Sequence, residues 1–182
     1  MDNKKIGIIY KSKYGSTEKY ANWIAEEVNG ELFESSEIEV NELRDYNVIV
    51  YGGGIYAVGI NGLKFIKKVY SQFKDKKIVI FGVGVSPVRP EVYEEVKEKN
   101  LTEEMEKEVD FFLLRGALNY EKLTIFDKFL MNVLKFMINR KDPEELTADE
   151  KVILSCIENS VDFTDKNKIF PIVRAIKDYN IK

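Results

Sequence analysis

The chain has 182 residues, of which 45% are hydrophobic and 32% charged, and its formal net charge is -3. These values predict one soluble domain over residues 1–182 and give no general attraction to nucleic acid. The single cysteine, Cys156, excludes an internal disulfide, and the chain contains no histidine. These two features also disfavour zinc sites and hydrolases with a histidine base, so redox chemistry would need a cofactor. Without a signal peptide or spanning segment, we expect a cytoplasmic location.

Apolar runs and helical patterns alternate in the first half of the chain. KIGIIY at 5–10, NVIVYG at 47–52 and KIVIFGVG at 77–84 are predicted to be buried strands. Helices with one apolar face are predicted at 17–29 and 63–73. This alternation predicts a parallel sheet with helices on both faces.

The other elements of the sheet are weaker in the sequence. ELFESSEIEV at 31–40 is predicted to be a polar edge strand, and VDFFLLRGAL at 109–118 is predicted to be the fifth strand. Residues 90–100 begin with Pro90 and are predicted to form a mostly solvated helix. The order βαβαβαβαβ predicts an α/β fold that resembles the flavodoxin-like doubly wound sheet of five parallel strands. Ligands of such sheets bind beyond the carboxyl ends of the strands.

The turn from the first strand into the first helix reads SKYGST, residues 12–17. Free backbone N–H groups and the positive end of the helix favour a phosphate at such a turn. Gly15 would allow close approach, and the hydroxyls of Ser12, Ser16 and Thr17 could donate to phosphate oxygens. The alternative is that Ser16 or Thr17 only caps the helix.

The same turn resembles the T-x-T-G-x-T phosphate loop of flavodoxins, with Tyr14 where that family usually has threonine. Two competing motifs are missing, because the chain has no G-x-x-x-x-G-K-[ST] and GVGVSP lacks the third glycine of G-x-G-x-x-G. The resemblance implies that FMN is the cofactor. The residues that it implies for the phosphate are Ser12, Lys13, Tyr14, Gly15, Ser16 and Thr17.

Two later loops fall where flavodoxins hold the isoalloxazine ring of FMN, namely GGGIYAVGI at 52–60 and GVGVSPVRPE at 82–91. Tyr56 would stack on the ring, and the alternative is an exposed loop aromatic. The second loop has no aromatic residue, so one face of the ring is expected to be open to a substrate. The residues that the resemblance implies for the ring are Gly54, Ile55, Tyr56, Ala57, Gly59, Val83, Gly84, Val85 and Ser86.

More chain follows the fifth strand than one closing helix needs. Residues 119–159 are predicted to be a helical insertion before the last helix, with SVDFT at 160–164 as a returning half of the fifth strand. The last helix is predicted at 166–179, begun by Asp165 and with Pro171 in its first turns.

The first half of the insertion, LTIFDKFLMNVLKFMINRK at 123–141, is helical in pattern but too apolar for an ordinary surface helix. It predicts a second apolar partner: a membrane surface contacted through 123–138, another subunit of a homodimer, or a bulky hydrophobic substrate. The alternative is that the next helix, 147–159, covers it. That helix begins with a capping box at Thr147 and Glu150.

A narrower resemblance covers residues 111–137, FFLLRGALNYEKLTIFDKFLMNVLKFM, together with SKYGST and IYAVG. This part is similar to the flavodoxin-type, menaquinone-dependent protoporphyrinogen dehydrogenases. The shared features are G-A-L-x-Y, an aspartate followed by a basic residue and an aromatic, and a methionine-rich apolar helix. The resemblance implies an FMN enzyme that takes electrons from a porphyrinogen and passes them to a quinone at the membrane.

Three functions remain open from the sequence. The first is an FMN-dependent oxidoreductase of that type, and the second is a soluble electron carrier that docks on a redox partner without a substrate of its own. The third is a binding module that has lost the flavin. Arg115 would either bind a substrate carboxylate or pair with a neighbouring acid. No residue stands out as an acid or base.

Overall fold

The computed structural model describes residues 4–180 and has a central sheet of five parallel strands extended by one short antiparallel strand. The strands of the chain are β1 (Ile6–Lys11), β2 (Glu31–Glu34), β3 (Val48–Tyr56), β4 (Gly59–Ile60), β5 (Lys77–Gly84), β6 (Asp110–Arg115), β7 (Ala117–Leu118) and β8 (Val161–Asp162). The parallel strands lie in the order β2-β1-β3-β5-β6, and β4 pairs with β3. This is the flavodoxin-like doubly wound order, so the predicted fold class is confirmed.

Helices cover both faces of the sheet. The α-helices of the chain are α1 (Ser16–Val28), α2 (Leu63–Val69), α3 (Pro90–Asn100), α4 (Glu103–Glu108), α5 (Ile125–Ile138), α6 (Ala148–Glu158) and α7 (Phe170–Lys177). The helices α1 and α7 pack on one face, and α2, α3 and α4 pack on the other. Successive residues of β1 serve the two faces, since Ile8 belongs to one core cluster and Ile9 to the other.

Two strands differ in length from the predictions. The edge strand β2 ends at Glu34 rather than at residue 40, because the Glu34 carboxylate accepts a hydrogen bond from the Ser36 N–H and turns the chain. In contrast, β3 continues through its glycines to Tyr56 instead of ending at residue 52. A Cβ at Gly52 would overlap the ring of Phe81 on β5, so the glycine makes room for a neighbouring side chain inside the sheet.

The predicted fifth strand is divided at Gly116. Its first part is the parallel strand β6, and its second part, β7, leaves the main sheet and pairs antiparallel with β8. The prediction that residues 160–164 form a returning half of the fifth strand is confirmed only in part, because they pair with its second segment, β7, and lie outside the main sheet. Those residues contribute to a separate two-stranded sheet. The short helix α4, begun by Thr102, was not predicted.

The last helix begins later than predicted. Asp165 caps a 3-10 turn over 166–169, and the α-helix α7 starts only at Phe170. Pro171 explains the delay, because it has no N–H to donate to a carbonyl of the preceding turn and is suited to the first turn of a helix. The capping box at Thr147 and Glu150 is present at the start of α6, as predicted.

The insertion contains α5 and α6, and α5 has one face turned towards solvent. Ile125 on this face is 90% exposed. The apolar side chains that define the outer face are Ile125, Phe126, Phe129, Val133, Phe136 and Met137. The alternative in which α6 covers the whole of α5 is therefore wrong. Within residues 4–180, no helix combines the length and the apolar character needed to cross a bilayer.

Candidate functional site

A cavity of about 580 Å³ lies beyond the carboxyl ends of the central strands, between the sheet and the insertion. The predicted site residues that line it are Ser12, Lys13, Tyr14, Ser16, Thr17, Gly54, Ile55, Tyr56, Ala57, Val83, Gly84, Val85 and Ser86. Gly15 and Gly59 are not among the lining residues. The structure thus brings three separate loops together at one cavity, and their contact with a cofactor stays a prediction.

The N-terminus of α1 opens at this cavity without a side-chain cap from the described residues. Gly15 occupies the N-cap position with a left-handed φ of 90°, which glycine adopts without strain. Ser16 and Thr17 are already helical, so the alternative in which one of them caps the helix is wrong. The N–H groups of the first turn and the helix dipole are therefore available to an anion.

The hydroxyl groups around this helix end are held in place by the backbone. Ser12 Oγ accepts a hydrogen bond from the Gly15 N–H at 3.0 Å, and Ser16 Oγ accepts one from the Ala117 N–H at 2.9 Å. Both hydroxyls keep their own hydrogen for another acceptor. Thr17 lines the cavity although only 3% of it is exposed.

Tyr14 and Lys13 are directed to the insertion. The Tyr14 hydroxyl donates to Asp127 Oδ2 on α5, and Lys13 Nζ donates to the same oxygen at 2.5 Å. The Tyr14 oxygen also accepts from the Thr124 N–H at 3.3 Å. These hydrogen bonds, that of Lys13 first, hold the pKa of Asp127 below its usual value. The loop of residues 12–17 is thereby fastened to α5.

A tight turn joins β3 to β4 and places Tyr56 at the cavity. Its central residues, Ala57 and Val58, have φ values of 45° and 64°, as a type I′ turn requires, although a β-branched residue rarely adopts them. Asn100, which is 6% exposed, holds this turn from α3. Its Nδ2 donates to the Val58 carbonyl at 2.6 Å, and its Oδ1 accepts from the Ile60 N–H at 2.8 Å.

The ring of Tyr56 lies at the edge of the cavity and is 42% exposed. A Cβ at Gly54 would come within 3.1 Å of this ring, so the glycine allows the ring to lie close to the backbone. Burial raises the pKa of Tyr56 to about 12, so its hydroxyl is neutral near pH 7, as that of an ordinary tyrosine is, and stays neutral at higher pH. An uncharged aromatic face is thus available for stacking.

Arg115 fastens the loop that follows β5. Its Nε and Nη2 donate to the Val85 carbonyl at 3.2 and 3.1 Å, and its guanidinium lies 3.7 Å from the centre of the Phe163 ring. It forms no ion pair with the described residues, so the expected pairing with a neighbouring acid is wrong. Farther along the same loop, Arg89 pairs with Asp149 on α6.

The insertion supplies a second wall of the cavity that the sequence did not assign to the site. Its apolar lining residues are Leu123, Leu130, Met131, Leu134, Val152, Ile153 and Cys156. The unusually wide apolar arc of α5 was the signal, since it predicted a second apolar partner. The sequence identified Asp127 only as part of the pattern of an aspartate, a basic residue and an aromatic, and it did not identify Asn100, because an acid in the first turn of a helix and an asparagine at a helix end are common in any protein.

The arrangement can hold an anion and an aromatic ring, but it offers little acid–base chemistry of its own. Burial raises the pKa of Cys156, so its thiol stays protonated near pH 7. Among residues 4–180, acidic and cysteine side chains form no group that could bind a metal ion. A reaction at this site would depend on a bound cofactor.

A model of the flavodoxin domain family matches residues 7–146 of the chain. No curated protein has a significant sequence match. Similar solved structures include a flavodoxin from the domain Archaea, with 17% identity, a TM-score of 0.47 and coverage of 95% of this chain and 99% of that one. Flavodoxin 1 from Bacillus cereus has 15% identity, a TM-score of 0.47 and coverage of 97% and 99%. The two-electron reduced flavodoxin of Megasphaera elsdenii has 15% identity, a TM-score of 0.45 and coverage of 85% and 99%.

Proposed function

Because this chain belongs to the flavodoxin domain family, we propose that it binds FMN in the cavity beyond the strand ends and transfers electrons through the flavin. The observation that carries the proposal is the uncapped N-terminus of α1, which opens at the cavity between fixed hydroxyl groups. A phosphate dianion would satisfy these donors.

The residues of the loop fit a phosphate without a charged ligand. Ser12 and Ser16 each accept a backbone hydrogen bond and can donate outward, and Thr17 lies at the same helix end. Lys13 is engaged by Asp127, so its charge offsets that carboxylate and does not serve the phosphate. In this proposal Tyr14, which replaces the usual threonine, ties the loop to the insertion.

The other two loops would hold the flavin ring. Tyr56 would stack on one face, with Gly54 allowing the close approach, and the loop at 83–86 would contact the ring from β5. Gly15 and Gly59 do not line the cavity, so we propose no direct contact between them and FMN. Bound FMN would supply the redox chemistry, and the protein would orient it and exclude water.

We propose an oxidoreductase with a small-molecule substrate rather than an electron carrier, because the cavity continues beneath α5 and α6. A carrier needs no space beside its flavin. The protoporphyrinogen and the quinone implied by the sequence resemblance are two candidate substrates, and an electron-transfer protein as partner is the alternative.

Uptake of FMN by the purified protein tests the cofactor assignment. We expect the visible absorption bands of a flavin to remain with the protein after gel filtration, with one FMN per chain. The variant Thr17→Val keeps the shape of the side chain but removes a hydroxyl, so it should weaken FMN binding. A wild-type protein that retains no FMN would contradict the proposal. The remaining function would then be that of a binding module that has lost the flavin.

Turnover separates the oxidoreductase from the carrier. Oxidised holoprotein is mixed with protoporphyrinogen, and anaerobically reduced holoprotein is mixed with a quinone. An oxidoreductase should show a rate that saturates with at least one of them. Rates that rise in simple proportion to concentration with both compounds would favour the carrier.

A further inference from the structure

We propose that the part of the cavity beneath α5 and α6 binds an uncharged, largely apolar small molecule beside the flavin. This inference rests on the proposed function and names the chemical class that the site accepts. It depends on the side chains that line the cavity and on how the charged groups around it are already paired.

Three helices contribute apolar walls to this compartment. From α5 come Leu130, Met131 and Leu134, and from α6 come Val152, Ile153 and Cys156; α3 adds Val92 and Val96. Protein interiors rarely leave empty spaces larger than a water molecule between such side chains. A space walled by three helices is therefore suited to a ligand that replaces water on apolar surfaces.

The insertion is held over this space by two ionic contacts rather than by packing of its apolar faces alone. Asp127 on α5 forms an ion pair with Lys13 and accepts a hydrogen bond from Tyr14. Asp149 on α6 forms an ion pair with Arg89. These contacts lie on different loops at the strand ends. They support both helices from the rim, so that the compartment beneath them stays open.

The same contacts leave the cavity without a free cation among the described residues. Within residues 4–180, Lys13 and Asp127 are the only charged side chains that line the cavity, and they pair with each other. Arg115 is directed to the Val85 carbonyl and stacks on Phe163, and Arg89 is paired with Asp149. A carboxylate that entered the compartment would lose its hydration without gaining an ionic partner.

The compartment should therefore discriminate by charge. Of the two candidate substrates, the porphyrinogen carries carboxylates, and these would have to remain outside. A neutral molecule has no such penalty and gains from contact with the apolar walls.

Two probes that share a ring system test this selectivity by binding alone. FMN-loaded protein is dialysed to equilibrium against 2-naphthalenemethanol, which is neutral, or against 2-naphthoate, which is anionic at pH 7. We expect the neutral probe to bind at least about tenfold more tightly, the effect of about 1.4 kcal/mol at 25 °C. Equal affinities, tighter binding of the anion, or no binding of either probe would overturn the inference.

Substitutions locate the probe in the compartment. Ile153→Lys adds a cation to the α6 wall and should weaken the neutral probe and strengthen 2-naphthoate. Ile157→Lys is the matched control, because Ile157 lies on the same helix with intermediate exposure but does not line the cavity. Met131→Lys tests the same expectation from α5 if the first variant fails to fold. An unchanged preference in both cavity variants would overturn the inference.

The result can be separated from failure of the cofactor assignment. Retention of FMN by the wild-type protein is measured first and depends on the loops at the strand ends. If FMN is not retained, the dialysis is carried out with the apoprotein, and the criterion is the change of preference in Ile153→Lys relative to Ile157→Lys, because 2-naphthoate could also bind at the free N-terminus of α1. That change of preference then supports the compartment even though the proposed cofactor is wrong.

Discussion

The hydroxyl of Tyr14, in the loop before α1, donates a hydrogen bond to the carboxylate of Asp127 on α5. Together with the ion pair from Lys13 to the same carboxylate, this contact joins the loop that is predicted to bind phosphate to the insertion that covers the cavity. Tyr14 stands where flavodoxins usually have a threonine in the phosphate loop. In this chain the side chain at that position holds α5 instead. Movement of α5 and the shape of the phosphate loop should therefore be coupled.

We expect Tyr14→Phe to loosen α5 without unfolding the sheet. The change removes a hydrogen bond to a charged acceptor, a contact that contributes about 1.5–3 kcal/mol where it is buried and less where it is partly exposed. Hydrogen–deuterium exchange should become faster in α5 and stay unchanged in β1 and β3. Tyr120→Phe is the control, since the Tyr120 hydroxyl makes no hydrogen bond to a described residue. Equal exchange in α5 for both variants would contradict the coupling.

The contact between Lys13 and Asp127 should depend on pH. Its hydrogen bonds hold the pKa of Asp127 below the usual value, so the carboxylate stabilises the folded state above the unfolded pKa of about 4. That stabilisation is lost as the pH falls through the lower, folded pKa. The difference in unfolding free energy between wild type and Asp127→Ala, from urea titrations, should thus shrink as the pH is lowered from 7 to below about 4. A difference that grows on acidification would contradict this assignment.

Asn100 should be required for the shape of the turn that carries Tyr56. In Asn100→Ala the buried Ile60 N–H and the partly buried Val58 carbonyl lose their partner. A buried group left unpaired costs about 1–3 kcal/mol, and a partly exposed one costs less. We expect a lower unfolding free energy and, if FMN is bound, a weaker flavin complex. Asn132→Ala changes an exposed asparagine of α5 and should do neither. An unfolding free energy equal to that of the wild type in Asn100→Ala would show that the turn at Ala57 and Val58 keeps its conformation without Asn100.

A membrane contact through 123–138 is one of the partners that the sequence left open for α5, and the outer face of α5 is exposed in the structure. If this face lies on a lipid surface, Phe129→Glu combined with Phe136→Glu should reduce co-sedimentation with vesicles that contain anionic lipid. Phe170→Glu is the control, because Phe170 is an exposed aromatic of α7. Unchanged co-sedimentation of the α5 variant would remove the membrane contact. The mass of the wild-type protein in solution tests the homodimer: the mass of two chains would support it, and the mass of one chain would contradict it.

The arrangement of the sheet could be predicted because each central strand is apolar on both faces and each covering helix on one. The end of β3 could not, since Gly52 and Gly54 are typical of loops and only the bulk of Phe81 and Tyr56 explains their place beside a strand. The division of the fifth strand at Gly116 depends equally on contacts that are distant in the chain.

The parts of the candidate site also differed in whether the sequence could predict them. The loop at 12–17 could be found because hydroxyl residues and a glycine between a strand and a helix form a local pattern. The roles of Asp127 and Asn100 depend on partners far along the chain, Tyr14 and Val58. The wide apolar arc of α5 indicated a second partner, but only the structure divides that arc between the cavity and the outer face.

The comparison of FMN with riboflavin tests most directly whether the N-terminus of α1 binds a phosphate. The two ligands share the isoalloxazine ring and differ by the phosphate alone, so their dissociation constants isolate its contribution. Quenching of flavin fluorescence on titration with the apoprotein gives both constants. We predict that FMN binds at least about 100-fold more tightly, because two or more charge-assisted hydrogen bonds are lost with riboflavin. Equal affinities, or no binding of FMN, would contradict the account.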